Sequence, residues 1–129
     1  MADGLMRLLG RQARKPSGWL GRMVYGHMAA YGHRPLTRWA MSFMDVQPTD
    51  RVLDIGCGNG TAIQLIARIA TEGFVTGVDH SQDMVQQALK RNAATMRLGR
   101  VAIRRGNVAA LPYGDESFDR VISVEAFYF

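Results

Sequence analysis

Residues 52–60 read VLDIGCGNG, an apolar run with one aspartate in it that passes directly into three glycines spaced two apart. Few patterns constrain a chain more. The apolar part reads as a short buried strand, and Gly56, Gly58 and Gly60 follow at its carboxyl end. Glycine there permits backbone angles that other residues resist, and lets a ligand approach the main chain without meeting a Cβ. Asp54 sharpens the demand, because a carboxylate at a nearly buried strand end is costly unless it is paired or hydrogen-bonded. It needs backbone donors or a cationic ligand group close by.

The flanking periodicity says what kind of sheet holds this strand. TAIQLIARIA is predicted as a helix, FVTGVD as a strand, and SQDMVQQALKRNAATMRLG as one helix with Ser81 as its N-cap. VAIRRGN follows as a third strand, LPYGDESF as a loop and DRVISVEAFYF as a fourth strand. Such alternation means βαβ units, right-handed crossovers and a parallel sheet covered by helices. The expected class is α/β, a Rossmann-like doubly wound parallel sheet with helices on both faces. Upstream, GWLGRMVYGHMAAYGH and PLTRWAMSFMDV space apolar residues by three and four, so two N-terminal helices are expected, with Pro35 in the first turn of the second. The division is a basic arm at 1–17, a helical lead-in at 18–47 and a βαβ half at 48–129.

Composition narrows the partners. The single cysteine excludes an internal disulfide framework and fits a reducing compartment, no apolar run spans a bilayer, and the N-terminus lacks an export pattern, so the cytoplasm is expected. The net charge is +5, and residues 1–50 carry seven Lys/Arg against three acids. Arg7, Arg11, Arg14 and Lys15 read as a solvated terminus. The acid-free stretch 84–114, with Lys90, Arg91, Arg97, Arg100, Arg104 and Arg105, reads as a solvated face, because no aromatic residues are interleaved for base stacking. Nucleic acid is therefore not the expected partner.

Ligands of open parallel sheets bind outside the carboxyl ends of the strands, where the amides of the following helix are also expected to face them. Asp79 ends the second strand, 23 residues after Gly56, and is placed to accept hydrogen bonds from two ribose hydroxyls. The dinucleotide fingerprint G-x-G-x-x-G would need a glycine at Thr61, and a Walker loop would need Gly-Lys-Ser/Thr; neither is present. The loop suits a nucleotide-like cofactor that is neither a dinucleotide nor a triphosphate.

VLDIGCGNG, VTGVDHSQDMVQQA and GNVAALPYGDESFDRVIS, in that order, resemble the class I S-adenosylmethionine-dependent methyltransferases of the small-molecule type, over residues 52–124. The resemblance implies S-adenosyl-L-methionine as cofactor and a small-molecule methyl acceptor. It implies that Gly56, Gly58 and the backbone between them hold the methionine part, with its amino group near Asp54, and that Cys57, Asn59 and Gly60 complete the cofactor-binding loop. Asp79 would bind the ribose, His80 and Met84 would border the adenine, and Asn107 and Val108 would sit at its edge. Asn107 stands where the family often has aspartate, and keeps one acceptor oxygen. Ser123 to Glu125 would lie near the reacting methyl, with Glu125 a candidate general base or simply a surface acid. Family domains continue for three more strands, so the C-terminal half reads as truncated after the fourth strand, whose apolar edge could pair with another chain.

Plainer readings accompany several of these residues. Met84 is either core or adenine wall, and His80 either cofactor wall or surface. Cys57 reads as a small loop residue, since no base or resolving cysteine accompanies it. His27 and His33, six residues apart, turn about 600° around a helix and have no ligand partners nearby, so no metal site is expected. The alternatives to an active methyltransferase are a non-catalytic cofactor-binding or interaction module and, less favoured, a nicotinamide-dependent oxidoreductase.

Overall fold

The computed structural model describes residues 34–124. The basic arm, the first lead-in helix, His27, His33 and Glu125 all lie outside the described residues.

Four parallel strands form the sheet in the order β3-β2-β1-β4: β1 Arg51–Ile55, β2 Phe74–Asp79, β3 Val101–Arg105 and β4 Arg120–Ile122. Helix α1 (Arg34–Ser42) precedes β1 and carries Pro35 in its first turn. Helix α2 (Thr61–Ala67) links β1 to β2, and α3 (Gln82–Arg91) with α4 (Ala93–Arg97) links β2 to β3. β1 lies at the centre, pairing Asp54 with Gly77 of β2 and with Ile122 of β4. Its carboxyl end therefore has a neighbour on each side.

The apolar positions of the sequence become the core. Val52, Ile63, Ile66 and Val75 are fully buried, and Ala67 and Val101 pack with them. Each large aliphatic side chain taken out of water there contributes about 1.5–3 kcal/mol. Gly77 sets how near α2 can lie: a Cβ on it would come within 2.3 Å of Ile63 Cδ1 and 3.1 Å of Cys57 Sγ.

At the opposite end of the sheet, polar contacts fasten the last strand to the first. The Arg51 amide donates to Asp119 Oδ2 at 2.7 Å, and Arg120 Nε donates to Asp50 Oδ2 at 3.2 Å. The Gln47 amide also donates to Asp50 and, ahead of the Arg120 contact, holds its carboxyl below the usual range. These contacts span up to 70 residues of sequence.

Three sequence expectations are corrected. The helix predicted over 81–99 is interrupted at Asn92, whose backbone (φ −104°, ψ 15°) leaves the helical region and separates α3 from α4. The fourth strand extends over three residues, Arg120–Ile122, within the described chain. Arg100 does not belong to a solvated face. Its guanidinium donates to the Ala67 and Ala70 carbonyls and closes the C-terminal end of α2, where a cation also meets the negative end of the helix dipole.

Candidate functional site

The carboxyl ends of all four strands carry the polar groups singled out in the sequence. After β1 the chain folds over the end of β2: the Gly56 and Cys57 amides both donate to the Val78 carbonyl, at 2.8 and 3.1 Å. Gly56, Gly58 and Gly60 all have positive φ, at 72°, 54° and 80°. That is the left-handed region in which a Cβ is strained, so alternate glycines are a backbone requirement of this turn.

Asp79 organises the turn from the neighbouring strand. Its Oδ2 accepts from the Gly58 amide at 2.9 Å and its Oδ1 from the Ser81 amide at 2.8 Å. A carboxylate offers about four acceptor positions, so both oxygens retain capacity after these bonds. The Ser81 hydroxyl caps α3 by accepting from the Met84 amide at 3.4 Å, as its place before an amphipathic run predicts.

Asp54 is only 3% exposed, and its Oδ2 has no hydrogen-bond partner. Burial, reinforced by the charge of Asp79, pushes its carboxyl up from 3.8 to about 7. The backbone donors expected from the sequence thus leave this oxygen unmatched. A buried acceptor of this kind, beside a second carboxylate, fits a cationic group brought by a ligand.

The remaining residues converge on the same end of the sheet. The Gly106 amide donates to the Asp79 carbonyl at 3.0 Å, which brings the segment after β3 alongside β2. There the Asn107 side-chain oxygen accepts from the Ala109 amide at 2.9 Å, and Val108 is 45% exposed. His80 is also exposed, with Nδ1 3.7 Å from Asp79 Oδ1. Met84 is 1% exposed and belongs to the core. The Ser123 hydroxyl donates to the Ile55 carbonyl at 3.0 Å and ties the end of β4 to the end of β1. Cys57 is buried, and burial together with Asp54 and Asp79 pushes its thiol up, so it remains protonated and inert.

Two features escaped the sequence reading. The first amide of α2, expected to face the ligand, is taken by Asn59: its Oδ1 accepts from the Thr61 amide at 3.2 Å and from the Thr61 hydroxyl at 2.7 Å. Arg91 and Asn92, at the end of α3, reach back to the glycine turn across some thirty residues of sequence. Nothing in their local sequence signals that contact.

Comparison with known proteins places this arrangement. A methyltransferase-domain family matches residues 47–128, which takes in β1 to β4 and the whole turn. The chain belongs to that family. Membership implies S-adenosylmethionine as the cofactor. The demethylmenaquinone methyltransferase of Bacillus cereus strain B4264 is 33% identical over 90 residues, covering 69% of this chain and 38% of that protein. An uncharacterized 37.1 kDa protein in a Streptomyces fradiae transposon is 39% identical over 77 residues, 59% of this chain and 21% of its own length. Among solved structures, a chain from the complex of the Haloferax volcanii Trm112 methyltransferase activator with a methyltransferase superposes with a TM-score of 0.68. It is 29% identical and the match covers 80% of this chain and 43% of that one. The chain thus spans 38% or less of the length of these curated relatives.

Among the described residues no helix is long and apolar enough to cross a membrane, and no group of three or more His, Cys, Asp or Glu could hold a metal ion.

Proposed function

We propose that this chain carries the cofactor-binding half of an S-adenosylmethionine-dependent methyltransferase that acts on a small-molecule acceptor in the cytoplasm. The observation that carries the proposal is the buried, unpartnered Oδ2 of Asp54 beside the glycine turn and Asp79. Asp54 takes the amino group of the methionine moiety, and Gly56 to Gly60 bring main chain rather than side chains against it. Asp79 accepts from the ribose hydroxyls through its remaining acceptor positions. Asn107 and Val108 lie along the adenine edge, His80 borders it, and Met84 supports it from below. The bound cofactor supplies a sulfonium-activated methyl group. The chain's share of the chemistry is alignment and exclusion of water, which account for much of the rate in such transfers. Ser123 holds the end of β4 at the place where the acceptor would approach.

A doubly wound sheet with helices on both faces, continuing beyond β4, belongs to the same proposal. β4 is an edge strand of the described sheet, and Val121 on it is 57% exposed. That edge would pair with further strands or with a second chain.

Calorimetric titration of the 129-residue chain with S-adenosylmethionine, S-adenosylhomocysteine and NADH tests the reading, with solution size measured on the same sample. Saturable binding of the two adenosyl ligands, weakened by Asp79→Ala, is the expected result. A folded chain that binds neither, or that binds NADH instead, refutes it.

A further inference from the structure

The end of α3 reaches the glycine turn through two side chains. Arg91 Nε donates to the Asn59 carbonyl at 3.2 Å, and Asn92 Nδ2 donates to the Gly60 carbonyl at 3.1 Å. The contact is tight. A Cβ on Gly60 would come within 2.6 Å of Asn92 Nδ2 and 2.9 Å of the Ala88 Cα. Asn92 is 2% exposed, and its Nδ2 also donates to the Ala88 carbonyl at 3.0 Å. A flipped amide would set its oxygen against two carbonyls, so this orientation is fixed, and Oδ1 is left buried without a partner.

Peptide units are planar, with carbonyl and N–H pointing opposite ways. In the 59–60 unit, Arg91 holds the carbonyl while the Gly60 amide donates to the Cys57 carbonyl at 3.0 Å. In the 60–61 unit, Asn92 and the Gln64 amide of α2 both hold the carbonyl, each at 3.1 Å, while the Thr61 amide donates to Asn59 Oδ1. Both planes are therefore held at both ends. We propose that Arg91 and Asn92 are positioning residues that keep the glycine turn in its ligand-ready shape before the cofactor arrives. The saving is in ordering: a turn fixed in advance loses less freedom when the ligand binds. This inference rests on the cofactor reading above.

Arg91 is exposed, so removing its donors leaves the core intact. Arg91→Met keeps the apolar stem, and Arg104→Met removes an equivalent exposed charge elsewhere on the sheet edge. Titration with S-adenosylhomocysteine is expected to show about fivefold or more weaker binding for Arg91→Met, with a melting temperature within about 2 °C of wild type. Arg104→Met binds as wild type, and Arg91→Lys, which restores a charged donor, recovers part of the loss. Wild-type affinity in Arg91→Met overturns the inference, as does an equal loss in Arg104→Met. If the folded wild-type chain binds no adenosyl ligand, the cofactor reading fails on its own, and hydrogen exchange at the Gly60 and Thr61 amides decides the clamp. Faster exchange in Arg91→Met supports it; unchanged exchange overturns it.

Discussion

Substituting Asp54 by asparagine removes a charge that the ligand-free fold accommodates badly. With the folded carboxyl near 7 and a value of 3.8 outside the fold, ionised Asp54 costs up to about 4 kcal/mol relative to its protonated form. The folded value is raised, so the associated stability is fully present below pH 3.8, declines as pH rises, and is lost above about 7. Asparagine stays neutral throughout, but its amide faces the same unpartnered space and gives back about 1–3 kcal/mol. Asp54→Asn is therefore expected to be destabilising by about 1–2 kcal/mol at pH 4 and stabilising by about 1–3 kcal/mol at pH 8. Urea unfolding of both proteins at pH 4, 5, 6, 7 and 8 without ligand measures this. The difference between the two curves cancels the titration of every group they share. A difference that stays flat across the series refutes the account of Asp54 as a buried, unmatched acid. On the proposed cofactor reading, the same residue makes binding proton-linked. A cationic ligand group restores the carboxylate, so adenosyl-ligand binding near pH 7 releases protons, visible as a buffer-dependent calorimetric heat that Asp54→Asn abolishes.

Gly60→Ala is expected to destabilise the chain more than Gly99→Ala by at least about 1 kcal/mol in urea unfolding: both have positive φ, but the Gly60 Cβ meets the backbone of Ala88 while the Gly99 Cβ meets nothing within 4 Å. Gly77→Ala drives a methyl into Ile63 and Cys57 and should cost about 1–3 kcal/mol by overpacking; a neutral result would mean that α2 can lift off the sheet freely. Arg120→Gln removes one of the contacts that depress the Asp50 carboxyl, so its titration midpoint, followed by NMR, should rise toward the usual value while remaining below it because the Gln47 amide persists. Since the folded value is lowered, the stability that Asp50 contributes in the wild type is present above the unfolded pKa and fades as pH falls through the folded one.

The local signals were legible wherever one stretch of chain settles its own conformation. The glycines at 56, 58 and 60, Ser81 as a cap and Pro35 in a first turn each follow from backbone sterics or a nearby hydrogen bond. The break at Asn92 was not legible, because its surroundings read as continuous helix and the partner of its side chain, Gly60, lies 32 positions earlier. Arg100 was misread for the same reason: it lies in an acid-free basic stretch, and the carbonyls it serves belong to a helix 30 to 33 positions away.

The sequence by itself determined the alternation of strands and helices, and the placing of the glycine turn and two acids at the carboxyl ends of β1 and β2. Those features depend on periodicity and on residue types that tolerate few backbone states. Only the tertiary structure decided how the carboxylates divide the work. Asp79 finds two amide donors and becomes the organiser of the turn, while Asp54, one strand away, has an oxygen with none. That asymmetry depends on which amides the turn aims at which strand end, and it exists only once β1 and β2 have paired.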